Sequence, residues 1–174
     1  MKKSFAAMLL LLAAAAAAGA QTPGEWIKFT PPESYFSILL PAQPTADVKT
    51  ARDEKVGPYT VHLFLAKAND EIYLVGWVDY AAEVNLNVQG ELEANRDNFV
   101  KTMKANLLGT TPIKLGAHPG IEFKAELPGR GNVVSRVYVV GRRPFQLIAI
   151  TPVGRDTFAN VERFFSSFKI GPAK

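Results

Sequence analysis

"IYLVGWVDY", from Ile72 to Tyr80, reads as a β-strand with no wet side. One face carries Ile72, Leu74 and Val78, and the other carries Tyr73, Val75 and Trp77. A strand covered on one face only alternates apolar with polar residues, so this strand lies in a sheet covered on both sides. "YTVHLFL" repeats the pattern, with Val61, Leu63 and Leu65 opposed by His62 and Phe64. The chain therefore needs two covering layers, one for each face of the middle of the sheet.

Working outward, short apolar runs separated by Pro and Gly supply the remaining strands. Glu25–Phe29 and Tyr35–Leu40 come first, broken by Pro31-Pro32 and Pro41; Pro58–Ala66 and Ile72–Tyr80 follow, joined at Asn69-Asp70. Thr111–Leu115, Ile121–Leu127, Asn132–Val140 and Phe145–Thr151 then succeed one another through "GAHPG", "PGRG" and "GRRP". These links are far too short for parallel crossovers, so the strands are expected to pair antiparallel. In "GAHPG", Pro119 offers a fixed φ and Gly120 tolerates a positive one, which places a type II turn over His118-Pro119-Gly120-Ile121.

Two segments carry helical spacing instead. Val88, Leu92, Phe99, Met103 and Leu107 form one stripe, with Glu91, Glu93, Arg96, Lys101 and Lys104 largely off it. This predicts an amphipathic helix of about five turns over Val88–Leu107. Phe158, Val161, Phe164, Phe165 and Phe168 recur at three and four near the end, with Asp156 as the expected N-cap, and the stripe reads as core. With the two helices as covers, the fold class is α+β: a three-layer α/β/α sandwich around a mostly antiparallel central sheet.

The first residues have a separate meaning. Lys2 and Lys3, the apolar run Phe5–Ala18, and Ala18-Gly19-Ala20 follow the grammar of a cleavable signal peptide, too short to span a bilayer. Residues 1–20 are expected to leave by cleavage after Ala20, and residues 21–174 to act as one periplasmic or secreted domain. Zero cysteines exclude disulfides, thiolate catalysis and Cys-type zinc sites. Lys2 and Lys3 go with the leader, so 18 of the 20 Lys and Arg remain against 16 Asp and Glu. That balance argues against a nucleic-acid partner and against a membrane-surface module, and no membrane span is expected after cleavage.

The layout is identified on "SYFSILLPAQP", "IYLVGWVDY", "ELEANRDNFVKTM", "IKLGAHPGIEF", "SRVYVVGRRPFQLIAI" and "FFSSFKI". Together these span nearly all of residues 21–174 and resemble the PsbP/Mog1-like domains found in secreted bacterial proteins. The resemblance implies the fold and not the function, since related folds serve as a photosystem extrinsic subunit, a binder of a small GTPase and cell-envelope lipoproteins. It carries over no functional residue. Pro144 departs from the pattern, which has an aliphatic residue or another strand former after the basic turn.

Candidate chemistry is sparse. His62 and His118 sit in no metal-ligand spacing, and His62, with Thr60 and Phe64 as neighbours on its face, reads as a buried or half-buried structural histidine. No G-x-S-x-G elbow exists, and Ser37, Ser166 and Ser167 lack the strand-to-helix turn that exposes a nucleophile. "PGRGN" lies between two strands, so it has no helix N-terminus to hold a phosphate. Asp79 and Glu122, the acids inside strongly apolar strands, are expected at edge or solvent-facing positions.

The exposed arginines Arg142 and Arg143, on a hairpin tip with Gly141 and Pro144, suit a carboxylate or phosphate on a partner. Arg130 and Arg136 come from the same hairpin system. The binding residues expected are thus Arg142, Arg143 and, at the mouth of its turn, His118; no catalytic residue, metal ligand or cofactor is assigned. Two functions stand side by side. One is a non-enzymatic binding or accessory module for an envelope protein or small ligand; the other is a hydrolase-type enzyme with a site assembled from scattered residues such as Asp79, Glu122 and His118.

Overall fold

The computed structural model describes residues 25–32, 35–54, 56–81 and 84–171. The expected signal segment and its cleavage point lie outside them. The chain order is β1 (Ile27–Phe29), β2 (Phe36–Leu40), β3 (Thr45–Asp53), β4 (Gly57–Ala68), β5 (Glu71–Tyr80), α1 (Val88–Met103), β6 (Asn106–Leu115), β7 (His118–Leu127), β8 (Gly131–Val140), β9 (Arg143–Thr151), α2 (Phe158–Ser166) and β10 (Lys169–Ile170). Seven strands form the main sheet in the order β3-β4-β5-β9-β8-β7-β6, and β1, β2 and β10 form a second, small sheet. Every pairing is antiparallel.

The two-faced strand places the layers. β5 lies between β4 and β9 near the middle of the main sheet. Its Leu74 joins Leu63, Phe123, Ile148 and Ile150 under Leu92, Phe99 and Met103 of α1. Its Tyr73, Val75 and Trp77 face the other way, into a core shared with Phe36, Ile38 and Leu40 of β2 and Phe164 and Phe165 of α2. The three-layer layout therefore stands, and the second cover is composite: the small sheet and α2 share it. A nine-residue helix is too narrow to cover a seven-stranded face alone.

The hairpins follow their turn chemistry, with one reassignment. Asn69 and Asp70 both take positive φ, as a two-residue type I′ turn requires, and Ala68 pairs with Glu71 across it. The type II turn expected at His118-Pro119-Gly120-Ile121 is not there: β7 begins at His118, Leu115 pairs with His118, and Gly116 is the loop residue with positive φ. Gly120 is instead an interior strand residue. A Cβ on it would sit 2.5 Å from both the Tyr138 ring and the Val137 carbonyl oxygen, so Gly is required there for space. The Pro-Gly logic is realised in the next loop, where Arg130 N–H bonds to the Leu127 carbonyl around Pro128 and a Gly129 with φ of 70°.

The helix expected to reach Leu107 stops four residues earlier. Lys104 adopts a left-handed conformation with φ of 52°, its N–H closes on the last turn, and β6 starts at Asn106. Leu107 is consequently a half-exposed strand residue, not part of the helical stripe. At the other end of α1, the Asn87 side chain accepts from Gly90 N–H at 2.9 Å as N-cap. The N-cap of α2 is Thr157, which makes no side-chain capping bond, and not Asp156 as expected; Asp156 lies one residue earlier, where its Oδ1 accepts from Phe158 N–H at 3.1 Å. Phe158 itself is 73% exposed and is not core, whereas Phe164, Phe165 and Phe168 are buried. Pro144 lies inside β9, buried and opposite Val139.

Candidate functional site

The end of the sheet at the β8–β9 turn gathers the polar groups. Gly141, with φ of 61°, and Arg142 form the turn, so Arg143 is the first residue of β9 and Arg142 stands exposed at the tip. The β5–β9 ladder runs to Trp77 opposite Phe145, and two residues further on Asp79 and Arg143 share one face. There Nε and Nη2 of Arg143 close on Asp79 Oδ1. The other carboxylate oxygen receives Trp77 Nε1–H at 3.0 Å and lies 3.0 Å from His62 Nε2. The His62 ring stacks on Trp77 with centroids 4.3 Å apart and planes within 5°.

Asp79 thus accepts from Arg143 and Trp77 and lies beside His62, groups drawn from three strands, and it is neither on an edge strand nor simply solvated. Arg143 is held on its other side by the Tyr35 ring, 5.2 Å from its guanidinium carbon. A cleft of about 510 Å³ opens here, lined by Tyr35, Asp79, Arg142, Arg143, Phe145 and the end of β10. A carboxylate, an aromatic wall and a cation held in one geometry suit recognition of an anion bearing an apolar body.

The remaining sequence candidates fall elsewhere. His118 shares the face of Arg143 but sits beyond β8, about 10 Å away at the usual strand spacing, and does not line the cleft. Glu122 is ion-paired to Arg136 at 2.8 Å, and the Arg136 guanidinium lies 4.5 Å from the centre of the Phe165 ring. Arg130 is at the opposite end of β8, where its Nη2 bonds the Met103 carbonyl at the end of α1. Neither Arg130 nor Arg136 joins Arg142 and Arg143. Asp79 and Glu122 lie three strands apart, and the registers set Glu122 level with Val75, four residues along β5 from Asp79, so the two are about 20 Å apart, outside the range over which paired carboxylates act on one glycosidic bond. The three groups of the scattered-site enzyme are therefore not brought together. Among the described residues, no three His, Cys, Asp or Glu side chains are grouped to hold a metal ion, and no helix is long and apolar enough to cross a membrane.

Sequence reasoning missed two buried carboxylates. Glu91, expected off the apolar stripe of α1, is buried: its Oε1 accepts from Tyr80 Oη at 3.1 Å and Asn95 Nδ2 at 3.0 Å, and its Oε2 has no hydrogen-bond partner among the described residues. Burial raises its pKa above the ordinary carboxylate value, against the two hydrogen bonds that lower it. Burial, followed by the charge and hydrogen bond of Glu91, pushes the Tyr80 hydroxyl upward. Glu71 accepts from Tyr73 Oη at 2.6 Å and from Asn160 of α2 at 3.0 Å, tying the second cover to the sheet. The only sequence trace of Glu71 is its place just after the Asn69-Asp70 turn, where a solvated acid is the ordinary reading.

No family model and no curated protein matches the chain. Among solved structures, the solution structure of cyanobacterial PsbP (CyanoP) from Synechocystis sp. PCC 6803 is similar over 90% of this chain and 98% of that one, with a TM-score of 0.57 and 14% identity. The chain has a PsbP-like fold. The antiparallel seven-stranded sheet, the small second sheet and the two helices are in keeping with that α+β fold. At this identity the likeness is one of fold alone, so the cleft at Arg143 is read from its own chemistry.

Proposed function

We propose that this PsbP-like chain is an exported, non-enzymatic accessory module that binds an anionic group of a protein partner or small ligand in the cleft beside Arg142 and Arg143. The observation that carries this reading is Arg143 itself. Asp79 and Tyr35 hold it in one geometry at the mouth of an open cleft, so little side-chain freedom is left to lose on binding. Arg142 at the turn tip adds a second guanidinium. Among the described residues the lining offers no Ser, Thr or Cys nucleophile, and its acid already accepts from Arg143 and Trp77, which favours binding over hydrolysis.

Crosslinked capture from the native cell envelope, with the partner identified by mass spectrometry, tests this function. Recovery is expected with the wild type and loss with Arg142→Ala/Arg143→Ala; equal recovery from both would contradict the reading. A thermal shift in a metabolite panel, without a captured protein, would assign the cleft to a small ligand. Export rests on Lys2, Lys3, the apolar run and Ala18-Gly19-Ala20. The intact mass of the secreted product is expected to correspond to residues 21–174, and a mass that retains residues 1–20 would contradict cleavage.

A further inference from the structure

The main sheet ends on β3 and β6, and the two edges differ. The ladder of β6 shifts register between Leu107 and Gly109, and Pro112 in its middle has no N–H to offer. Bulges and prolines of this kind protect an edge from pairing with another chain. β3 has neither device. Its ladder with β4 runs without a shift from Thr45 opposite Leu65 to Asp53 opposite Gly57, and no Pro or Gly interrupts Thr45–Asp53. Among the described residues, β4 is its only strand neighbour, and Val48 stands 52% exposed.

The charges on β3 are complementary to themselves. Alternation puts Asp47 and Lys49 on one face, where they form an ion pair at 2.8 Å, and Ala46, Val48 and Thr50 on the other. Laying a second copy of β3 antiparallel, with Val48 opposite Val48, sets Asp47 opposite Lys49 of the second copy, twice by symmetry. Ala46 then meets Thr50, also twice. Centring the pair on Lys49 would instead oppose two lysines, so charge selects Val48 as the centre. An interface that repeats each contact about one axis is isologous and closes as a dimer.

We infer that β3 is a pairing edge for a second copy of this chain, joining two seven-stranded sheets about a two-fold axis at Val48. The inference stands independently of the cleft, since β3 contributes none of its lining. Main-chain hydrogen bonds supply the attraction, and the Asp47 and Lys49 pairs set the register.

The absence of cysteine makes the test direct. Facing residues of an antiparallel pair have Cα atoms about 4.5–5.5 Å apart, within the roughly 4.4–6.8 Å that a disulfide spans. Mild oxidation of Val48→Cys is expected to give a covalent dimer, while Thr110→Cys, exposed on β6, stays monomeric. Sedimentation equilibrium should show a wild-type dimer, weakened about tenfold by Asp47→Lys because the axis applies the like-charge clash twice. Asp47→Lys/Lys49→Asp should restore it. A wild type that is monomeric throughout, a dimer indifferent to Asp47→Lys, or no recovery in the double exchange would each overturn the inference.

Discussion

Gly120 and Gly116 lie four residues apart in one hairpin and are required for different reasons. Gly116 has φ of 59°, so Asn, which tolerates the left-handed region, is expected to replace it at little loss, and Ala at about 1 kcal/mol. Gly120 has no room for a Cβ, because the Val137 carbonyl is backbone and cannot turn aside. Gly120→Val should cost at least about 2 kcal/mol, and Gly120→Asn should be no better tolerated, while His118→Ala costs little. Denaturant titration of the five variants checks this, and tolerance of Asn at Gly120 would return the turn to Pro119-Gly120. "GAHPG" offers both glycines to either role, and the Tyr138 ring that decides between them comes from another strand.

Glu91 gives the residue scale its pH dependence. Its carboxyl titrates above its ordinary value of 4.5 in the folded protein because burial disfavours the charge. The folded state therefore holds the proton more tightly than the unfolded chain, and the stability this contributes is complete below the unfolded pKa. It is lost as pH rises from about 4.5 through the folded pKa. Glu91→Gln, which stays neutral, should gain stability relative to wild type across that rise and match it at lower pH. Urea melts between pH 4 and 8 read the gap; a gap that narrows with rising pH would contradict a buried, reluctantly ionised Glu91.

At the scale of elements, α2 is anchored by two of its aromatic residues and not by its first. Phe164 is fully buried against Tyr73, with ring centroids 5.0 Å apart, whereas Phe158 is 73% exposed. Phe164→Ala should cost about 3–5 kcal/mol, and Phe158→Ala well under 1 kcal/mol, in thermal or denaturant unfolding. Near-equal losses would mean that α2 docks by a different face. The three-and-four spacing of the phenylalanines marked the helix correctly and could not say where its buried face begins. Similarly, Leu107 continues the α1 spacing by one more turn, and Lys104 stops the helix without the Gly that usually announces such an end. β3 was illegible for a plainer reason: an edge strand exposed at most positions carries no apolar alternation. β5 was legible because both of its faces are buried, and from it the layer order followed.

For the whole molecule, the three-layer layout around an antiparallel sheet was readable in the spacing of apolar runs, while the candidate site was readable only in part. Arg142 and Arg143 were visible as a basic turn, and nothing in the spacing joined Arg143 to Asp79, 64 positions earlier, or to Tyr35. That contact exists because β5 and β9 are neighbours in the sheet. The central claim is that this cleft receives an anion carried on an apolar body. Amide chemical-shift mapping of residues 21–174 titrated with benzoate and phenyl phosphate tests it most directly. The account predicts saturable shifts centred on Tyr35, Gly141, Arg142, Arg143 and Gly171 that vanish in Arg142→Ala/Arg143→Ala; shifts that scatter over the surface, or persist unchanged in that variant, would contradict it.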